Sequence, residues 1–191
     1  MDIHALIQKF LQQQSNLPPT VGGEGVTKAG VVPFVRDPYR FYLMKPVAKQ
    51  QNLGAPKFQL CKGTRMMKVD GVWQDITPSL TLPPTGGGEI ETLAQTALRE
   101  GIEELGLILE NIGRLFDMGA YDFSSATTGK GKTMWLFAAE MKSEEFSPEV
   151  APTTADRGWL TLEEFNMVGR EDHRYILEDI EKKLKEPRHP T

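Results

Sequence analysis

With 191 residues, 39% of them hydrophobic and 25% charged, this chain has the composition of a protein that buries one ordinary core, which excludes disorder throughout. Its formal charge of −4 argues against broad nucleic-acid binding while leaving room for a local basic pocket, and no apolar run approaches the ~20 residues of a membrane span. Met1-Asp2-Ile3-His4 lacks the basic start of a signal peptide, so a cytoplasmic location is the default expectation; the single Cys61, expected as a small buried residue, excludes an internal disulfide or a multi-cysteine zinc site.

In chain order, Ile3, Leu6, Ile7, Phe10 and Leu11 recur at helical spacing behind Asp2 as an N-cap, and Pro18-Pro19 with Gly22-Gly23 ends the pattern. This amphipathic helix and its linker, residues 1–20, are expected to pack on the domain that follows, a homodimer contact being the other use of the apolar face. Ala29–Val35 and Arg40–Lys45 read as two strands, and Arg36-Asp37-Pro38-Tyr39 supplies the turn of a hairpin. Phe58–Cys61 is a short strand candidate leading into Lys62-Gly63. Residues 64–88 resist assignment. They hold Val69-Asp70-Gly71-Val72-Trp73, a Pro-rich stretch from Ile76 to Pro84, and Gly86-Gly87-Gly88, whose bare backbone permits close approach to a ligand.

The most distinctive stretch follows. Thr92 and Gln95 form a capping box, Ala94, Leu98, Gly101, Ile102 and Leu105 make one apolar face, and Gly106 suits the left-handed residue that ends a helix; a helix is predicted over 93–105. Gly101 costs about 1 kcal/mol relative to alanine inside a helix, which implies that a backbone or large side chain packs closely on it. On the opposite face Glu100, Glu103 and Glu104 crowd together at about 100° per residue. Like charges so spaced repel, and a divalent metal explains them more sharply than open solvent; Arg99, four residues before Glu103, can buttress them. Ile112–Phe116 and Met118–Phe123 are then strand candidates, Ser124–Lys132 a polar turn, Thr133–Glu140 a buried strand, Pro148–Asp156 a loop and Gly158–Leu160 a short strand. Thr161 caps a helical turn to Phe165, and a last helix over 172–185 carries Tyr175, Ile176, Ile180 and Leu184 on one face, before a frayed tail at 187–191.

Glu91, Arg99, Glu100, Glu103, Glu104, Gly106 and Leu107 fall at the spacings of G-x5-E-x7-R-E-U-x-E-E-x-G-U, U being apolar, and on these residues the chain resembles the Nudix hydrolase superfamily. Ala29–Val35 is similar to that family's first long strand and Arg157–Glu164 to its late Trp-containing segment, so the resemblance covers residues 25–185. It implies an α/β fold, the Nudix-type α/β/α sandwich with a mixed central β-sheet flanked by helices, formed by residues 21–186 as a single domain. Two positions depart from the pattern: Thr85 stands where the leading glycine belongs, and Gly101 where an apolar residue follows Arg-Glu. Members often run from Pro-Lys-Gly into the box within a few residues. Here Lys62-Gly63 lies far upstream of Glu91, read either as an insertion of about two dozen residues or as a coincidental dipeptide.

By this resemblance Glu100, Glu103 and Glu104 bind Mg²⁺ or Mn²⁺, with Gly86 or Gly87 giving a main-chain oxygen, Arg99 orienting a carboxylate and Glu91 supporting the site. The expected reaction is hydrolysis of a pyrophosphate bond in a nucleoside diphosphate linked to another moiety, a small-molecule substrate, with Glu100, Arg99 and Glu103 as the catalytic set. Candidates for the general base are Glu100 and, on a loop after the Trp135 strand, Glu144, Glu145 and Glu149. Lys62, Arg65, Lys130 and Lys132 are candidate phosphate contacts. Trp73, Trp135 and Trp159 read as packing residues, and His4, His173 and His189 find no partner at useful spacing. The alternative is a Nudix-fold binding or regulatory domain that holds a nucleotide without cleaving it.

Overall fold

The computed structural model describes residues 2–14, 26–47, 57–76, 89–124 and 131–186. Strand β1 (Lys28–Arg36) is buried over most of its length because it lies in the middle of a sheet with helices on both faces. Its neighbours are β2 (Tyr39–Pro46) on one side and β7 (Gly131–Met141) on the other, with β8 (Thr154–Leu160) and β6 (Ile112–Ser124) outermost, giving the order β6-β7-β1-β2-β8. The β1–β7 pair is parallel and the rest antiparallel, which makes the sheet mixed. A short strand β3 (Gly63–Thr64) adds to the start of β1, with Ala29 opposite Gly63.

Alternation along β1 splits the core in two. Ala29, Val31 and Val35 face one cluster with α1 (Ile3–Gln13) and α2 (Leu93–Glu100), whose Ile7, Ala97 and Leu98 are fully buried. Val32 and Phe34 face the other, against α3 (Leu162–Val168) and α4 (Glu171–Lys185) through Phe165, Ile176, Leu177 and Ile180. The chain is therefore an α/β sandwich of helices on both faces of a mixed sheet. Among the described residues no helix is long and apolar enough to cross a membrane.

The hairpin of β1 and β2 pairs Phe34 with Phe41. Helix α1 starts where Asp2 Oδ1 accepts from His4 N at 3.0 Å, and it packs on α2. Several expectations need correction. Phe58–Cys61 makes isolated bridges, Gln59 to Met44 and Phe58 to Gly169, instead of a strand. The two strands expected on either side of Asp117 are one, β6, because register shifts at Ile112/Arg114 and Asp117/Gly119 absorb the irregularity and Asp117 Oδ1 accepts from Gly119 N at 2.9 Å. In α4, Tyr175 is 47% exposed, and His173 and Leu177 take the buried face with Ile176, Ile180 and Leu184.

Part of the unassigned segment forms a hairpin of β4 (Met66–Val69) and β5 (Val72–Asp75). Asp70 and Gly71, both at positive φ (49° and 81°), make its two-residue turn, the geometry that Asp-Gly favours. The hairpin leaves the sheet at Gly63–Thr64 and the chain returns beside it. Glu91 N donates to Met66 O at 3.0 Å, and Ile90 bridges Met67. Gly86, Gly87, Thr85, Lys130, His189 and the 187–191 tail lie outside the described residues.

Candidate active site

The acidic helix begins as its sequence requires. Thr92 Oγ1 accepts from Gln95 N at 3.1 Å and Gln95 Oε1 from Thr92 N at 2.7 Å, a closed capping box. It does not stay α-helical to residue 105. From Gly101 to Leu105 it widens into a π-helical turn, which closes at Gly106 (φ 72°) and carries Glu103 and Glu104. Gly101 makes the turn's first position, and a Cβ there would sit 2.6 Å from Val31 Cγ1; the large side chain implied by the sequence is Val31 of β1. Wide turns of this kind are rare and concentrate at functional sites.

One guanidinium organises the acids. Arg99 Nε donates to Glu91 Oε1 at 2.8 Å, Nη1 to both Glu100 Oε1 (2.7 Å) and Glu103 Oε2 (3.0 Å), and Nη2 to the main-chain oxygen of Thr64 at 2.8 Å. Burial works against the charge of Arg99, but its hydrogen bond to Glu91 and the charges of Glu100, Glu91 and Glu103 outweigh that and raise its pKa further. The Glu91 side chain has no solvent exposure, and its Oε2 also accepts from Met66 N (2.8 Å) and Thr96 Oγ1 (3.1 Å). It is a buried anchor.

Glu100 rests against the main chain of Gly63, where any Cβ would overlap its carboxylate. That contact sets Lys62-Gly63 beside the acidic helix, with the hairpin of β4 and β5 following it in sequence. Burial pushes Glu100 up to about 7; Arg99 opposes the shift and Glu104 and Glu103 add to it. Burial also raises Glu104, which Cys61 and Lys62 partly offset by hydrogen bonding from the thiol and the main chain. Cys61 is buried, as expected, and desolvation raises its thiol pKa.

The cations are arranged unevenly. Lys62 Nζ lies 5.5 Å from the Phe123 ring centroid, and burial, then the charge of Arg170, lower its pKa to about 8. Arg65 donates through Nε and Nη2 to the main-chain oxygen of Glu91 (2.9 and 2.7 Å). Lys132 is exposed at the start of β7. Lys28, which sequence reasoning missed, donates from Nζ to Thr64 Oγ1 at 3.2 Å; burial and the charge of Lys132 lower its pKa while Glu100 opposes. Only the strand pairing of Lys28 beside Gly63–Thr64 brings it here, so a one-dimensional pattern has no signal for it.

The loop candidates separate. Glu144 accepts from Arg40 Nη2 at 2.6 Å, and Arg40 pairs with Val35, at the far end of β1 from Ala29 and Gly63. Glu145 and Glu149 are exposed on the segment between β7 and β8. Glu149 lies between two ties to the acidic turn, Ser147 N to Gly106 O (2.7 Å) and Ala151 N to Glu103 O (2.6 Å). Trp159 packs with Tyr42 and Phe146, whereas Trp73 stacks on His4, at 3.9 Å between ring centroids. His173 is buried, its Nδ1 accepting from Leu60 N at 3.1 Å, and burial holds its pKa well below 6.5.

Among the described residues no three His, Cys, Asp or Glu side chains converge on one point. Arg99 draws Glu100 and Glu103 to itself, and Glu104 turns to Cys61 and Lys62. The donor chemistry still suits a hard divalent cation. Glu100 ends α2 and Glu103 and Glu104 follow on the widened turn, and the acidic neighbours that add to the raised Glu100 pKa are negative charges which a cation would offset.

A family model described as the NUDIX domain matches residues 58–180. No curated protein matches the chain. Among solved structures, a NUDIX hydrolase from Nitrosomonas europaea is 16% identical with a TM-score of 0.54, over 86% of this chain and 93% of its own. The NUDIX domain of Shewanella oneidensis NrtR, complexed with ADP ribose, is 14% identical with a TM-score of 0.56, over 92% and 98%. A C. elegans Ap4A hydrolase in a binary complex is 16% identical with a TM-score of 0.56, over 83% and 97%. At such identities the likeness is one of fold.

Proposed function

Because the matched residues, 58–180, make up well over half of it, the chain belongs to the NUDIX domain family, and from that premise we propose that it is a divalent-metal-dependent hydrolase cleaving a pyrophosphate bond in a nucleotide derivative. The observation that carries this reading is the Arg99 fork, which ties Glu100 and Glu103 to the buried Glu91 on a widened turn backed by Gly63.

Glu100, Glu103 and Glu104 would hold Mg²⁺ or Mn²⁺, and the main chain at Gly63, which touches Glu100, is proposed as their companion in place of Gly86 or Gly87. Such a cation, when bound, neutralises charge on the pyrophosphate and lowers the pKa of a water. Arg99 keeps the carboxylates oriented, and Glu91 keeps Arg99 in place. Glu100, held by Arg99 beside Glu103, is the leading base; Glu149 is the loop candidate, lying between two ties to the acidic turn. Lys28 and Lys62 are the cations suited to the substrate's phosphates.

The test is phosphate release with Mg²⁺ over nucleotide sugars, dinucleoside polyphosphates, ADP-ribose, dinucleotide cofactors and nucleoside triphosphates. Turnover of at least one is expected, and Glu103→Gln should reduce it about 100-fold with the fold intact. A second reading, a domain that binds a nucleotide without turnover, is favoured by the fold shared with the NUDIX domain of Shewanella oneidensis NrtR, which was solved in complex with ADP ribose. Tight binding of one compound with no turnover of any would select it.

A further inference from the structure

Resting on the metal-site reading above, we propose that His4 is a positioning residue for the acidic turn: from helix α1 its Nδ1 lies within reach of the buried Glu91 carboxylate, and by donating to it steadies the Glu91–Arg99 pair that sets Glu100 and Glu103. His4 lies outside the matched residues 58–180, so the coupling is a property of this chain's own N-terminal helix.

The geometry is specific. His4 Nδ1 is 3.4 Å from Glu91 Oε1, with side-chain exposures of 13% and 0%, and Nδ1 is a buried nitrogen with no hydrogen-bond partner among the described residues. The two Glu91 oxygens differ in what they already hold. Oε2 accepts from Met66 N, Thr96 Oγ1 and, at 3.4 Å, Arg99 Nη2, whereas Oε1 accepts from Arg99 Nε. Oε1 has room for a second donor, and His4 Nδ1 lies within reach of it at 3.4 Å, short of an aligned hydrogen bond. The ring is held in that attitude from two sides. Its backbone N is tied to Asp2 Oδ1 at 3.0 Å, and its face stacks on Trp73 with an interplanar angle of 17°.

The effect is transmitted through one rigid group. Arg99 presents Nε to Glu91 and Nη1 to Glu100 and Glu103, and the guanidinium is planar, so a shift of Glu91 at one edge re-aims the other. The Trp73 stack ties the hairpin of β4 and β5 to α1, beside the fully buried Glu91 side chain. Outer partners that orient ligands in this way matter to metal affinity by about 10-fold or more.

Two substitutions divide positioning from packing. His4→Phe keeps a ring for Trp73 and removes the donor; His4→Asn gives up the ring and keeps a side-chain amide N–H near the place of Nδ1. Mn²⁺ titration of the full-length protein, followed by electron paramagnetic resonance, should show affinity weakened about 10-fold in His4→Phe and largely recovered in His4→Asn. Thermal melts confirm that each variant is folded, and should His4→Phe fail to fold, His4→Ala against His4→Asn supplies the same contrast. Any other pattern, including equal loss in both or loss only in His4→Asn, overturns the proposal. Absence of Mn²⁺ binding by the unmodified protein would sink the metal-site reading instead. In that case ¹⁵N resonances of the His4 ring decide: a neutral ring protonated at Nδ1 supports the contact with Glu91, and one protonated at Nε2 overturns it.

Discussion

At Gly63 a hydrogen is the largest side chain that leaves the Glu100 carboxylate where it is. The atoms that a methyl group would meet there belong to the end of a flexible side chain, so Gly63→Ala should fold normally while displacing Glu100. Mn²⁺ affinity and turnover are expected to fall about 10-fold, read by titration and by phosphate release beside an unchanged melting curve. Glu100 also gives a signed dependence on pH. Its folded value of about 7 lies above the ordinary 4.5, so between those values the folded protein keeps a proton that the unfolded chain has released. In metal-free protein its contribution to stability therefore falls as pH rises through that window. His173 acts in the opposite sense: held well below 6.5 in the fold, it loses stability for the protein as pH drops under about 6.5. Urea titrations in EDTA should show Glu100→Gln gaining on the unmodified protein from pH 4.5 to pH 7, since the His173 contribution cancels in the difference. A flat difference would contradict the shift. The carboxylates were readable in one dimension because they sit within a single turn of chain; Lys28 and His4 were not, because strand pairing and helix docking bring them to the site.

The acidic turn carries a lesson about elements. Capping by Thr92 and the exit at Gly106 were legible from side-chain chemistry alone, but the change from α to π winding at Gly101 was not, since it depends on how closely the helix meets Val31. Gly101→Ala should cost about 1–3 kcal/mol in urea unfolding, because the added carbon must push aside a buried strand residue. The hairpin of β4 and β5 lies in the segment that resisted assignment although Asp70-Gly71 makes its turn, and its register against Ile90 and Glu91 follows from a return of the chain that local pattern does not encode. Tyr175 shows the same limit from the other side, since spacing assigned it to the buried face and α4 turns it outward in favour of His173 and Leu177.

For the molecule as a whole, the sandwich was legible only through the family resemblance carried by Glu91 to Leu107, and α1 with α2 on one face and α3 with α4 on the other agree with it. Strand order was beyond reach, because the parallel β1–β7 pair joins residues about a hundred positions apart in sequence. If the acids hold a cation, it stabilises the fold by mass action: Mg²⁺ at 100 times its dissociation constant should add about 2.7 kcal/mol, EDTA should remove it, and Glu103→Gln should abolish the response, all visible as shifts in melting temperature. The hairpin's point of departure has a different consequence. A chain break placed between residues 77 and 88 would leave Gly63, Met66 and His4 on one fragment and Glu91, Arg99 and the three glutamates on the other. The contacts that complete the acidic turn, Glu91 to Met66 and Arg99 to Thr64, would then run between two separate polypeptides, with β1 lodged beside β7. The candidate site would become an assembly interface, and its completion would rise with the concentrations of both fragments, as in a split reporter.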